Sequence, residues 1–508
     1  MGSFVSSLKN HQVLILGLGE TGLAAAKWCL LQGASVRVAD TRVSPPGLQA
    51  LQEAGLEAQA FFLGEERALG DSVLDGIQSI VLSPGLLPFA SPIKEFLDKA
   101  QARNIEIIGE IELFARALAD LQEQFQYTPK VLAVTGTNGK TTVTTMTRDM
   151  CQQAGLTAIA AGNISPAALD ALMMAMQNEK LPDVWVLELS SFQMHTTTTL
   201  KPNASTVLNV TQDHLDWHGS MEHYIQSKAR LLALSDIAIV SRDDELTMKM
   251  VDYSDDIHVR SFGSDEPKLA GDLGVEYING MAWLCVNEYD DFDAPVTKQP
   301  KKKSYERPVR PQGEIKRLMP ADAMRVRGRH NTLNGLAAVA LCRAIGIAYA
   351  PLLTTLRDYE AQAHRCNFVR TIQGVDFIDD SKGTNVGATQ AALVGMERPT
   401  ILILGGLGKG QDFSPLCAPV QRYARAVFLI GVDREIIASA LEPAGVPMER
   451  FDSLEAAVQA SMQYAKEGDV VLLSPACASF DMFKGYHHRG QVFVEAVTQL
   501  ATDLGELA

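Results

Sequence analysis

Residues 133 to 146 read AVTGTNGKTTVTTM, so that Gly136, Thr137, Asn138 and Gly139 run directly into Lys140 and Thr141. Small residues at such a turn let successive backbone N–H groups point at phosphate oxygens, while a lysine neutralises β/γ charge and a hydroxyl binds Mg²⁺. The strict pattern G-x-x-x-x-G-K-[ST] asks for glycine where Val134 stands, a strand end that can dispense with it. An ordinary strand-turn-helix needs no lysine and threonine directly after glycine, so the stretch reads as a nucleotide site. Glu188 closes the apolar run DVWVLE and suits either a Mg²⁺ carboxylate or a solvated strand end. His214, in TQDHLDWHGS, is equally a ligand or a satisfied structural histidine. Lys228, in YIQSK, lies on a helical stretch and by spacing alone is a surface lysine. The loops DDSKGTN (379–385) and GGLGKG (405–410) each set a lysine after small residues at a strand end, as sites for anionic ligands do.

These groups need sheets to carry them, and the apolar runs supply three. In the first, a strand at Val13 to Leu16 leads into Gly17-Leu18-Gly19-Glu20-Thr21-Gly22, a helix, and a second strand ending in Asp40, a Rossmann-like βαβ unit. The glycines imply a tight turn and a close approach, to a phosphate at the helix N-terminus, and are a weak sign of NAD. A further strand, Ile80 to Leu82, ends in Ser83-Pro84-Gly85. In the second module, strands at Val131–Val134, Val184–Glu188 and Ser205–Val210 converge at the C-terminal edge where open α/β sheets bind ligands. The third repeats strand-then-small-residue four times, at Val375–Asp379, Thr400–Leu404, Ala426–Ile430 and Val470–Leu473. Gly328-Arg-His-Asn331 reads as a polar loop before an apolar helix. The expected class is therefore α/β in three domains: a Rossmann-like N-terminal domain at 1–110, a P-loop ATPase-type domain at 111–361, and a Rossmann-like C-terminal domain at 362–508.

A chain of 508 residues suits about three domains. The seven cysteines are scattered without a C-x-x-C pair, which points to reduced, structural thiols and away from zinc or a disulfide framework. A formal net charge of −15 argues against a nucleic-acid partner. No apolar run spans a bilayer, and the first residues lack a signal-peptide core, so a cytosolic protein without membrane insertion is expected; a monomer is the default expectation, which no sequence feature sets. The stretch from about 253 to 320 is irregular and charged; its basic run KQPKKKSYERPVRP beside the acidic NEYDDFD reads as a solvated surface insertion.

In order along the chain, TGTNGKTT, LELSSFQ, TQDHLDWHG, YIQSK, GRHN, HR, DSKGTN and SPACASFDMF resemble the Mur ligases of peptidoglycan synthesis over essentially the full length. LELSSFQ and DSKGTN resemble the branch that adds D-glutamate to UDP-N-acetylmuramoyl-L-alanine. The resemblance implies an ATP- and Mg²⁺-dependent ligase that phosphorylates the acceptor carboxylate and lets the D-glutamate amine attack the acyl phosphate. It implies that Gly136, Thr137, Asn138, Gly139, Lys140, Thr141 and Thr142 hold the phosphates. Thr141, Glu188 and His214 would hold metal, and Lys228 would do so as a carbamate. Asn331, Arg365 and Asp380 would contact ATP. Lys382, Thr384, Lys409, Ser479 and Tyr486 would form the D-glutamate site, with Tyr486 standing where the family usually has phenylalanine. Leu18, Glu20, Thr21, Thr41 and Arg42 would hold the uridine end of the acceptor, replacing the NAD reading, and Ser83 and Asn163 the rest of it. The insertion at 253–320 is longer than the family pattern.

Overall fold

The computed structural model describes residues 4, 6–251, 258–289, 310–326, 328–360 and 363–506. Two stretches of the expected insertion (252–257 and 290–309), along with the expected domain start at 362, lie outside the described residues. Two compact units form: residues 1–210, 214–319 and 335–356 make the first, and 211–213, 320–334 and 357–508 the second.

The first unit carries two sheets among the described residues. One is wholly parallel, in the order β3-β2-β1-β4-β5: β1 (Gln12–Leu16), β2 (Ser35–Asp40), β3 (Phe61–Leu63), β4 (Ser79–Leu82) and β5 (Glu106–Ile108). Chain order reverses at β1, so the glycine turn after β1, Asp40 and Ser83 share the crevice at the switch point. The second sheet comprises β6 (Lys130–Thr135), β7 (Ala158–Gly162), β8 (Val184–Glu188), β9 (Ala204–Val207), β10 (Ile237–Ser241), β11 (Val259–Phe262), β12 (Leu273–Ile278), β13 (Met281–Glu288) and β14 (Glu314–Pro320). Its order is β14-β13-β12-β11-β10-β9-β6-β8-β7, parallel from β7 to β12 and antiparallel at β12/β13. Strands buried on both faces need continuous apolar runs, and Val184, Trp185, Val186 and Leu187 are each fully buried. The helix Glu110–Phe125 joins the two sheets: its Glu112 carboxylate accepts the backbone N–H groups of Thr198 (2.8 Å) and Thr199 (2.9 Å).

Part of the supposed solvated insertion is ordered sheet. β12 and β13 form a hairpin in which Leu273, Val275, Leu284 and Val286 are buried. Arg310, from the basic run, is buried in a 2.6 Å ion pair with buried Asp272, and the Asn287 amide bonds the carbonyls of Pro267 and Gly313. One charge of the basic run, Arg310, is therefore satisfied inside by a carboxylate from before β12.

The second unit holds β15 (Asn367–Ile372), β16 (Val375–Asp379), β17 (Thr400–Gly405), β18 (Ala424–Ile430), β19 (Met448–Arg450) and β20 (Val470–Leu473) in the order β15-β16-β20-β17-β18-β19. All pairs are parallel except antiparallel β15/β16. The ends of β16, β20 and β17 are neighbours, so the DSKGTN, SPACAS and GGLGKG loops meet at one sheet edge. GRHN is not a free loop: the helix begins at Arg329, after Gly328 at φ +96° turns the chain.

Candidate active site

In the first unit, β6 ends at Thr135 and the helix Lys140–Gln153 starts five residues later, behind Gly139. Gly136 is required here: its φ is +149°, and a Cβ would lie 3.0 Å from Leu208 Cβ and 3.2 Å from Leu208 N. Asn209, following β9, splints the turn by accepting Asn138 N–H (2.8 Å) and donating to the Asn138 carbonyl (3.1 Å). The Lys140 ammonium donates to the carbonyls of Gly136 and Thr137, each at 2.9 Å. Buried Lys228 reaches the same Gly136 carbonyl at 2.9 Å, its Nζ 4.5 Å from the Tyr224 ring centroid. The Tyr224 hydroxyl lies 3.0 Å from Thr137 Oγ1. Two lysine side-chain nitrogens thus meet on one carbonyl of a phosphate-type turn.

Glu188 ends β8 in register with Val134 on one side and Gly162 on the other. The carboxylate is buried: Oε1 accepts from Asn163 Nδ2 at 2.9 Å, and Oε2 has no hydrogen-bond partner. Gly162 (φ +115°) permits that approach, since a Cβ there would sit 2.4 Å from the Glu188 carbonyl oxygen. A buried carboxylate oxygen without a donor can take a cation, and a carboxylate and the Thr141 hydroxyl are both hard oxygen donors of the type Mg²⁺ takes. His214, a softer nitrogen donor, is exposed and left-handed (φ +54°), its ring 4.7 Å from that of Phe192.

At the first sheet, the expected uridine-end residues surround the glycine turn. The Leu18 N–H donates to Asp40 Oδ2 (2.7 Å), and Arg42 closes on the same carboxylate through Nε (2.8 Å) and Nη2 (2.7 Å). Arg42, first among the partners opposing burial, holds the Asp40 pKa below the usual carboxylate value. Ser83 Oγ donates to the Gly17 carbonyl at 2.7 Å. Glu20 opens the helix Glu20–Leu31, with Thr21 behind it, and Thr41 directly follows β2.

In the second unit, Lys382, Thr384, Lys409, Ser479 and Tyr486 all fall on the three converging loops or, for Tyr486, at the start of the helix Tyr486–Asp503. Lys382 Nζ stands 3.9 Å from the Tyr486 ring centroid, a cation–π contact that either aromatic residue type can make. Asp380 accepts Ser474 Oγ (2.7 Å) and Cys366 N–H (3.2 Å), and burial pushes its pKa up to about 7. Asn331 lies in the first turn of the helix Arg329–Ala344, and Arg365 shares its strand-side loop with His364, whose Nδ1 is 2.6 Å from Asp379 Oδ2.

Several residues that the sequence reading passed over hold these pieces together. Arg489 is fully buried and binds Ser381 Oγ (3.0 Å), the Ser381 carbonyl (2.8 Å) and the Cys477 carbonyl (3.1 Å), tying two loops to one helix. Burial lowers its pKa to about 10. His218 is buried with Nε2 2.9 Å from Ser191 Oγ, and burial, reinforced by the nearby His214 and Lys228 charges, lowers its pKa to about 4. Asn209 and Tyr224 splint the P-loop. Only the polar ends of TVLNV and the aromatic four residues before Lys228 hinted at them.

Three family models match the chain: Mur ligase MurD-like, N-terminal domain, over residues 11–109; Mur ligase middle domain, over 134–342; and Mur ligase, glutamate ligase domain, over 364–477. Among curated proteins, the UDP-N-acetylmuramoylalanine--D-glutamate ligase of Bordetella bronchiseptica is 56% identical over 98% of both chains. The protein of that name from Paraburkholderia xenovorans is 49% identical over 97% of both. Among solved structures, MurF ligase from Thermotoga maritima in complex with ADP aligns over 98% of this chain and 100% of its own at TM-score 0.57 and 16% identity. MurC from the same organism aligns over 96% and 99% at TM-score 0.52 and 18% identity, and these two likenesses speak to the fold.

Proposed function

The chain belongs to the Mur ligase family, in its UDP-N-acetylmuramoylalanine--D-glutamate ligase branch, and from that premise we propose that it joins D-glutamate to UDP-N-acetylmuramoyl-L-alanine at the expense of ATP. The observation that carries the chemistry is the convergence of Lys140 and Lys228 on the Gly136 carbonyl, with the buried Glu188 carboxylate at the end of the neighbouring strand. A carboxylate is a poor acyl donor because its leaving group would be an oxide. Transfer of the ATP γ-phosphoryl group to the alanyl carboxylate leaves ADP and an acyl phosphate. The D-glutamate amine attacks that carbonyl, loses a proton, and inorganic phosphate departs with the C–O electron pair. Lys140 neutralises charge on the transferring group, and the N–H groups of Asn138 to Thr142 orient it.

Mg²⁺, when bound, would neutralise phosphate charge between the Thr141 hydroxyl and Glu188, with His214 and the Lys228 carbamate as the remaining ligands. CO₂ adds to the neutral Lys228 amine with loss of one proton, and the carbamate nitrogen keeps an N–H that can still donate to the Gly136 carbonyl. Residues 1–110 are assigned the acceptor, through Leu18, Glu20, Thr21, Thr41, Arg42 and Ser83, with Asn163 contributed from the second sheet. Residues 111–361 are assigned ATP, helped by Asn331, Arg365 and Asp380; residues 362–508 are assigned D-glutamate, through Lys382, Thr384, Lys409, Ser479 and Tyr486. The cytoplasm, where ATP and nucleotide sugars are available, is the compartment this chemistry requires. Among the described residues, no helix is long and apolar enough to cross a membrane. The test is phosphate release over a matrix of UDP-sugar acceptors and D- and L-amino acids. Release that needs ATP, UDP-N-acetylmuramoyl-L-alanine and D-glutamate together supports the reading, and equal turnover with L-glutamate or a folate acceptor sinks it.

A further inference from the structure

The loop that follows β4 is held from outside its own sheet. Trp217 Nε1–H donates to the Leu86 carbonyl at 2.9 Å, a bond between residues 131 positions apart. Leu86 in turn packs on the glycine turn: a Cβ at Gly17 would meet Leu86 Cδ1 at 3.2 Å and Ser83 Cβ at 2.8 Å. Three residues further on, the Phe89 ring meets Trp217 edge-on (centroids 5.5 Å apart, 88°) and His195 likewise (5.0 Å, 70°). On its other side Trp217 stacks on Phe192 (4.7 Å, 29°), whose ring abuts His214. A buried indole usually places its one N–H on a fixed acceptor. Here that acceptor is the backbone of the loop bearing Ser83.

We infer that Trp217 is a positioning residue that latches the Ser83–Phe89 loop against the glycine turn, so that affinity for the nucleotide-sugar acceptor depends on a residue outside the acceptor's own sheet. The inference rests on the assignment of that crevice to the acceptor. The latch has two parts: the indole N–H holds the Leu86 carbonyl, and the half-exposed Phe89 ring packs edge-on against the indole. Loss of either loosens the loop directly, whereas the indole reaches the Lys140 turn only at second hand, through His218 and Tyr224.

Trp217→Phe keeps an aromatic ring on Phe192 and removes the hydrogen bond together with part of the indole's packing. Amide hydrogen exchange of residues 83–92 in the ligand-free variant should accelerate. The KM for UDP-N-acetylmuramoyl-L-alanine should rise about three- to tenfold, the loss of one neutral hydrogen bond, while the KM for ATP stays put. Phe89→Ala should act in the same direction and Phe89→Leu should recover most of the loss. Unchanged exchange in Trp217→Phe overturns the latch whatever the protein's substrate. Faster exchange with an unchanged acceptor KM overturns its part in binding, as does an equal rise in the KM for ATP. Faster exchange in a protein whose wild type does not turn over this acceptor upholds the latch and overturns the substrate assignment instead.

Discussion

Glu110 offers a test that needs no substrate. Its carboxyl is buried at the start of the helix Glu110–Phe125; Oε1 accepts the Leu169 N–H at 2.6 Å and Oε2 has no partner. Burial, reinforced by the charge of nearby Asp170, raises its pKa from 4.5 to about 8, although the N–H groups at the N-terminus of the helix Ala168–Gln177 favour the anion. In the folded protein the proton is kept to about pH 8, whereas the unfolded chain gives it up near 4.5. Unfolding between those values therefore releases a proton, so this group's contribution to stability falls as pH rises from about 4.5 to about 8 and is flat above. At about 1.4 kcal/mol per tenfold change in proton concentration, the gap corresponds to about 5 kcal/mol. Glu110→Gln keeps the acceptor for Leu169 and cannot ionise. The variant should match wild type near pH 5 and exceed it progressively towards pH 8.5, with Tm higher by on the order of 5 °C there. Thermal unfolding followed by circular dichroism across pH 5 to 9 makes the comparison. Parallel Tm curves, whatever their offset, would show that Glu110 ionises at the same pH in the folded and unfolded protein and refute the reasoning.

Lys140→Ala should lower kcat by about three orders of magnitude or more through lost charge stabilisation, with the fold intact by circular dichroism; a loss below tenfold excludes Lys140 from the transferring group. Lys228→Ala should be nearly inactive and regain part of its turnover in a buffer containing a short-chain carboxylate, and near wild-type turnover returns Lys228 to a structural role. Arg310→Ala leaves buried Asp272 with the Ser261 N–H and the nearby Arg260 but without its ion-pair partner, and should cost about 2 to 3 kcal/mol in urea unfolding of the first unit, most of it recovered by pairing Arg310→Met with Asp272→Asn. Equal stability of Arg310→Ala and wild type means the pair is solvated.

The parallel strands were legible because burial on both faces forces an unbroken apolar run: Val131–Val134 and Val470–Leu473 stand where the hydropathy put them. Loops at their C-terminal ends followed from the α/β architecture, and so did the clustering of Ser83 with the glycine turn and of Lys382 with Lys409's sheet edge. Two strands of the third sheet were missed for physical reasons. β15 is an exposed edge strand with a bulge between Phe368 and Arg370, and β19 has only three residues, so neither needs an apolar run. The hairpin β12/β13 was hidden because its neighbours are charged, although Asp272 and Arg310 neutralise each other inside. Contacts such as Arg489 with Ser381 or Trp217 with Leu86 join residues more than a hundred positions apart and leave no local pattern. The fate of Lys228 shows the limit most clearly: helical spacing puts a lysine on a surface, and the fold buries it on the P-loop turn.

An acyl phosphate made at the Lys140 turn and consumed at the Lys409 loop should be open to interception before its second step. Hydroxylamine added with ATP and UDP-N-acetylmuramoyl-L-alanine, in the absence of D-glutamate, intercepts such a species as a hydroxamate that mass spectrometry identifies. Wild type and Lys409→Ala should both yield the hydroxamate, Lys140→Ala should yield none, and omission of ATP should abolish it. A hydroxamate from Lys140→Ala with none from Lys409→Ala, or a wild type that forms the amide with D-glutamate yet never gives a trapped acyl group, would contradict the account.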